Sequence, residues 1–263
     1  MATGNIGQRD SMVDDDYMLD EDEVDESQMT LIEHLEELRW RIFKSLIGIV
    51  IGAIVAFIFR EQIMHFLTLP LPKEADVLGH GNKLVVQGVA EGFTVFLKLS
   101  VAVGFLIALP LILYQAWAFI SPGLYSHEKK TALPFVFIGI FLFLAGISLG
   151  YIVLQYPVQW LINFAATDFT ELVTADSYFT FVAFFLLAFG IVFEIPLVLT
   201  FLAQLGIITS QTLKKKRAVA HVSMWIAATF LTPGADPYSP VILGAAMSCL
   251  YELTILFIRF TKH

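Results

Sequence analysis

Apolar runs of about 15 to 25 residues recur along this chain, each long enough to cross a hydrocarbon layer as a helix. The chain of 263 residues is 57% hydrophobic and only 15% charged, with mean hydropathy +0.74. A soluble domain wraps its core in polar surface and cannot hide this much apolar area. Many of the 24 Phe lie near the ends of the runs. These features predict an all-α polytopic membrane protein with six transmembrane helices, and no soluble domain beyond an N-terminal tail.

The runs can be placed in order. Met29–Trp40 reads as an amphipathic helix start, with Thr30 and Glu33 spaced as a capping box. Leu31, Leu35 and Leu38 share one face of it. This helix runs into a first span at about 42–59, whose Lys44 can snorkel to the interface. Residues 60–98 form the longest connection, with Pro70 and Pro72 and then a partly helical or extended stretch, 84–97. The second span is 99–120, with Pro110 inside it as a kink, and Ser121-Pro122-Gly123 ends it. The third span is 133–154, followed by a loop in which 158–164 reads as a short interfacial helix. The fourth span, 178–205, holds Glu194-Ile195-Pro196 in its interior. The fifth (218–231) and sixth (241–258) flank the loop TPGADPYSP. The fifth, at about 21 Å, falls short of the ~30 Å hydrocarbon core, and the sixth is expected to be short as well. Either this hairpin stops before the far face or the bilayer thins around it.

The net charge of −8 comes from one segment. Ten acidic residues lie between Asp10 and Glu26, and beyond residue 28 the chain holds 15 basic and 14 acidic groups. A like-charge block with few apolar residues cannot collapse, so residues 1–28 read as a disordered acidic tail and 29–263 as the membrane domain. The tail is either a solubilising leader or an electrostatic contact for a basic partner. No cleavable signal peptide is expected, because the N-terminus is acidic and no apolar core follows within 30 residues. Alternating the sides at each span puts 12 of the 16 Lys and Arg with the N-terminus and four (Arg60, Lys73, Lys83, Lys98) opposite. The positive-inside rule then puts both termini in the cytoplasm.

Catalytic motifs are missing: there is no GxxxxGK phosphate loop, no HExxH and no Cys cluster. The six His share no ligand spacing, and Cys249 reads as apolar filler. The expectation is a non-enzyme without cofactor or metal, drawing energy from a partner or the membrane gradient. Glu194 lies inside a span, where a charge costs about 2.5 to 3.5 kcal/mol. It is either a polar contact for a partner helix, a protonatable group, or an acid neutralised internally. Glu252 in the sixth span is open in the same way. Glu37 and Glu128, on the same side by the charge count, are each ordinary surface acids alone. Together they could receive two guanidinium groups through bidentate bonds.

Several motifs resemble the TatC family, the signal-peptide receptors of the twin-arginine protein translocase. They are His34-Leu35-x-Glu37-Leu38-Arg39, Leu69-Pro70-Leu71, and Tyr114-Gln115-x-Trp117-x-Phe119-Ile120-x-Pro122-Gly123-Leu124-Tyr125-x-His127-Glu128. Phe193-Glu194-Ile195-Pro196, Lys215-Lys216-Arg217, and Thr232-Pro233 through Asp236 to Ser239 follow in the family's order. The stretch from Trp117 to Glu128 is the most specific. The resemblance implies a protein of the plasma or thylakoid membrane that binds twin-arginine signal peptides of folded precursors at the cytoplasmic face. It also implies assembly with single-span TatA- and TatB-like subunits, as a homo-oligomer within a receptor complex, and transport driven by the proton-motive force. It implies that Glu37 and Glu128 read the arginine pair, with Leu38, Arg39 and Phe119 shaping the same site. Pro70 would fix the first far-side loop, Glu194 would meet a partner helix in a concave membrane face, and Asp236 would belong to the last far-side loop. Two other classes compete. A solute transporter would use Glu194 as a proton relay, but the two halves of the chain do not match as repeats. An intramembrane enzyme would need a nucleophile and base at one depth, and none is visible.

Overall fold

The structure, a computed structural model, describes residues 31–71, 84–120, 132–165 and 173–261. Ten helices follow one another among them: α1 (Leu31–Ile58), α2 (Arg60–Thr68), α3 (Glu91–Ile120), α4 (Ala132–Val153) and α5 (Gln155–Ala165), then α6 (Ala175–Val192), α7 (Ile195–Gln204), α8 (Ser210–Lys215), α9 (Arg217–Leu231) and α10 (Tyr238–Thr261). Among the described residues the sole β pairing is one isolated bridge, Val85 to Thr174. Five segments are long and apolar enough to cross a membrane: Ile32–Ile58, Glu91–Phe119, Pro134–Phe164, Ala175–Gln204 and Tyr238–Phe260. Arg217–Leu231 is a shorter apolar helix. At 15 residues it reaches only about 22 Å, so the fifth run is short as expected. The acidic tail, residues 1–28, lies outside the described residues.

The sixth run is longer than its apolar core suggests. α10 begins before Val241 because Asp236 caps it: its carboxylate accepts from the Ser239 backbone N–H at 2.7 Å and from the Ser239 hydroxyl at 2.6 Å. Pro237 lies immediately before Tyr238, the first helical residue, where its missing N–H costs nothing. The helix runs on to Thr261, giving 24 residues. Two short helices, α2 and α8, also form where only connections were expected. α8 starts at Thr209, whose hydroxyl accepts from the Thr212 N–H at 3.2 Å.

The chain divides into two compact units, Met1–Trp40 and Arg41–His263. Within the larger unit, α6 is the central strut. Val182, Phe185 and Phe189 on it are fully buried, in a continuous core that also holds Leu154 of the α4–α5 corner and the α10 residues Leu243, Met247 and Tyr251. α1 packs along α3, from the Arg41–Gln115 bond to the Phe57 and Phe93 rings, and the two helices come closest at a glycine pair. Gly48 and Gly52 form a small-xxx-small pair, and a Cβ on Gly52 would lie 2.6 Å from the Gly104 carbonyl oxygen of α3. A Cβ on Gly104 would lie 2.4 Å from the Ala53 nitrogen. Only bare backbone lets these helices approach so closely, and lipid offers no hydrophobic drive to join them otherwise.

One end of this unit gathers α2, the start of α3, the end of α4 and the start of α6. The Ala175 N–H donates to the Val85 carbonyl at 2.8 Å, and Lys98 pairs with Asp176 at 2.7 Å. α3 and α6 therefore start at the same end. α9 and α10 run antiparallel, with Trp225 packed on Gly244 and Arg217 on Glu252.

Candidate functional site

Glu37, Leu38 and Arg39 lie on α1 in the N-terminal unit. Helical spacing puts His34 one turn before Glu37, and His34 Nδ1 stands 3.9 Å from Glu37 Oε2. That is beyond hydrogen-bond length, so it is an ion pair only when His34 is protonated. Glu37 keeps 20% side-chain exposure, Leu38 is half-buried and Arg39 is exposed. Leu35 is 65% exposed, so the predicted apolar stripe stays open there. Glu128 lies outside the described residues.

Phe119 stands in the larger unit, half-buried in the last turn of α3. Two residues earlier, Trp117 is 2% exposed. Its ring lies 4.8 Å from that of Phe135 on α4 and 5.4 Å from that of Phe201 on α7. Edge and tilted contacts of this kind add to the burial energy of the rings, so three helix ends are tied together just before Phe119. Gln115, one turn back, is buried, and its side-chain oxygen accepts from Arg41 Nη1 at 3.4 Å.

Glu194 sits where α6 breaks into α7. Pro196 has no N–H to give the carbonyl of Val192, so the ladder is interrupted and Glu194 becomes the N-cap of α7. Its side chain does not cap the helix. Both carboxyl oxygens are buried and accept no hydrogen bond from any described residue. They lie against Gly139 of α4, where an added Cβ would be 3.4 Å from Oε2 and only 2.6 Å from Leu113. A buried, unpaired acid is costly unless a polar partner arrives.

Pro70 ends α2, and its effect is visible in the hydrogen bonds around it. It cannot donate to the Phe66 carbonyl four residues back. The Tyr151 hydroxyl donates to that oxygen at 2.8 Å, and the Tyr178 hydroxyl donates to the next one, of Leu67, at 2.6 Å. Tyr151 also stacks on Phe66 with ring centres 4.4 Å apart. Two tyrosines from α4 and α6 thus cap the helix that Pro70 terminates. Asp236, 3% exposed, engages both carboxyl oxygens at the start of α10.

Sequence reading missed three polar contacts. Glu252 accepts from Arg217 Nη2 at 2.7 Å and meets His221 Nε2 at 3.0 Å. The neighbouring Tyr251 hydroxyl donates to the Leu213 carbonyl at 2.9 Å. Glu252 therefore holds the first turn of α9 against α10. The Arg41–Gln115 bond and the Tyr151–Tyr178 caps are the other two. Arg217 and His221, one helical turn apart, were the only available signal for the first. Among the described residues no cluster of three or more His, Cys, Asp or Glu is placed to hold a metal.

Comparison with known proteins adds independent findings. Residues 33–245 match the family model of the Sec-independent protein translocase protein (TatC). A Sec-independent protein translocase protein TatC of Desulforapulum autotrophicum is 37% identical over 236 residues, covering 89% of this chain and 86% of its own. The TatC of Escherichia coli strain K12 is 33% identical over 237 residues, covering 89% and 90%. A crystal structure of the twin arginine translocase receptor TatC in DDM superimposes with a TM-score of 0.73 at 35% identity, covering 86% of this chain and 99% of its own.

Proposed function

Because the chain belongs to the TatC family of Sec-independent protein translocase proteins, we propose that it is the receptor subunit of a twin-arginine translocase. It is an integral membrane protein and a transport component rather than an enzyme. In this reading it binds Arg-Arg signal peptides of folded precursors on the cytoplasmic face, and the proton-motive force drives export. The observation that carries the reading is the family match from residue 33 to 245, a stretch that includes Glu37, Glu128 and Glu194.

Glu37 and Glu128 accept the two guanidinium groups, and Leu38, Arg39 and Phe119 shape the surrounding surface. The chemistry suits the task. Two planar cations need two anionic acceptors, and a Lys cannot reproduce the bidentate fork. The buried Trp117 cluster supports this assignment by giving the α3 end a rigid base. The chain crosses the membrane six times with both termini cytoplasmic; the antiparallel α9–α10 hairpin and the shared starting end of α3 and α6 favour that alternation.

The experiment is site-specific crosslinking between the full chain in membranes and a signal peptide bearing Arg-Arg. Glu37→Gln or Glu128→Gln alone should weaken capture about ten- to a hundredfold, the worth of one charged hydrogen-bonded contact. The double Ala variant should abolish it, and unchanged capture would discard the site.

Single-span TatA- and TatB-like proteins are the partners in this reading. Glu194, with two buried oxygens that find no partner among the described residues, is the group that meets a polar side chain on a partner helix. Such a pair offsets the desolvation of both groups.

A further inference from the structure

An open cavity of about 360 Å³ lies between α2, α3, α4 and α6. Its walls are apolar: Phe66, Leu99, Leu106, Ile147, Ala183 and Leu187 contribute, and Gln62 is the one polar side chain among them. Apart from α2, every wall belongs to an apolar membrane-crossing segment. Most of these residues are half-buried, so the cavity opens outward to whatever surrounds the protein. It is a built feature, because its roof is tied down. α2 is held over it by the Tyr151 and Tyr178 hydroxyls at 2.8 and 2.6 Å.

What fills it follows from elimination. Left empty, the lining would forfeit its dispersion contacts. Water needs two to four polar partners and finds only Gln62 among the described residues. A partner helix, about 10 to 12 Å across with its side chains, would rest on the opening rather than enter it. A single hydrocarbon chain fits, and at this depth the bilayer supplies it. A cation marks where the chain's headgroup would lie. Arg60, at the start of α2, lays its guanidinium 5.1 Å from the Phe57 ring centre and 5.5 Å from that of Phe96. Phe96 is one α3 turn before Leu99, which lines the cavity. Arg60 spends one donor on the Phe57 carbonyl at 3.2 Å and stands 3.9 Å from Glu61, which is 81% exposed. A guanidinium has five donors, which leaves several for a phosphate.

We propose that this cavity is a phospholipid site, with one acyl chain between α3 and α6 under α2 and the lipid phosphate on Arg60. The bound lipid completes the packing of the α2 end. This inference requires only that the helices lie in a bilayer, and it stands or falls separately from the signal-peptide reading.

The test reconstitutes the full chain in nanodiscs of phosphatidylglycerol and phosphatidylcholine. A trace of phosphatidylglycerol carries a photoreactive diazirine at the end of one acyl chain. Labelled peptides are then mapped by mass spectrometry. Label should concentrate on Leu99–Leu106 and Ala183–Leu187. It should fall about tenfold when Ala183→Phe or the milder Ala102→Leu fills the space, the cost of displacing about two methylenes. Label on the outward residues Val222 and Phe230 of α9 should persist in both variants. Arg60→Gln should lower cavity labelling several-fold. Even labelling of all outward surfaces, or cavity labelling unchanged in a filled variant that still unfolds cooperatively, overturns the site. Labelling of Arg60→Gln equal to wild type overturns the headgroup assignment. Capture of a photoreactive signal peptide in the cavity, with no lipid label there, assigns it to another occupant and overturns the proposal.

Discussion

The Tyr178 hydroxyl donates to the Leu67 carbonyl at 2.6 Å, inside a core where Tyr178 is 4% exposed. Removing that oxygen strands a buried acceptor, which costs about 1 to 3 kcal/mol. Tyr178→Phe should therefore lower thermal stability in detergent, and Tyr151→Phe should do so less, because the Tyr151 end of the latch is partly wet. Equal melting of Tyr178→Phe and the parent would mean that α2 is held by packing alone. Glu194 poses the opposite case, an acid with burial but no described partner. Glu194→Gln keeps a polar group for a partner helix and sheds the charge. Co-purification with single-span partners should survive Glu194→Gln better than Glu194→Ala, with signal-peptide capture unchanged in both. Equal loss in the two variants would point to shape rather than polarity at this position.

Among the elements, α1 packs on α3 through several contacts, of which Gly52 against Gly104 is the closest approach, while residues such as Val50, Ile51 and Ile54 face outward. Gly52→Leu pushes a side chain into the Gly104 backbone and should cost about 1 to 3 kcal/mol through overpacking. Chemical denaturation in detergent should show an earlier midpoint, and a silent substitution would place the helices farther apart than described. The α9–α10 hairpin is held differently. The Arg217–Glu252 pair is about half exposed, so a double-mutant cycle should return less than about 1 kcal/mol of coupling. The Trp225–Gly244 contact joins α9 to α10 by packing, and the Tyr251–Leu213 bond ties α10 to α8.

At the scale of the molecule, orientation is set by where the cations fall. Twelve of 16 Lys and Arg lie on the N-terminal side under a six-span alternation. Single cysteines at positions 80 and 170 should react with a membrane-impermeant reagent from outside, and one at position 212 only from inside. The native Cys249 is exposed, so it must first be replaced by Ala. A reversed pattern would overturn both the orientation and the placing of Glu37 on the cytoplasmic face.

Helices and their order were legible in the residues because each span must satisfy its own backbone in lipid, and that demand is local. The short fifth run and a helix after Val153 both follow from neighbours within a few positions, whereas the break of the fourth span at Glu194-Ile195-Pro196 emerged only in the structure. The family motifs likewise singled out Glu37, Phe119, Pro70, Glu194 and Asp236. What folding alone decided is which distant groups meet. Glu252 found Arg217 across 35 positions and Tyr178 found Leu67 across 111. Gly139 came to stand against Glu194, and α2 closed over an apolar cavity. Hydrophobic periodicity records which face of a helix is covered, not by what. Partner choice depends on how packed helices cross, and those crossings turn on small residues such as Gly52 and Gly104, whose meeting no local pattern announces.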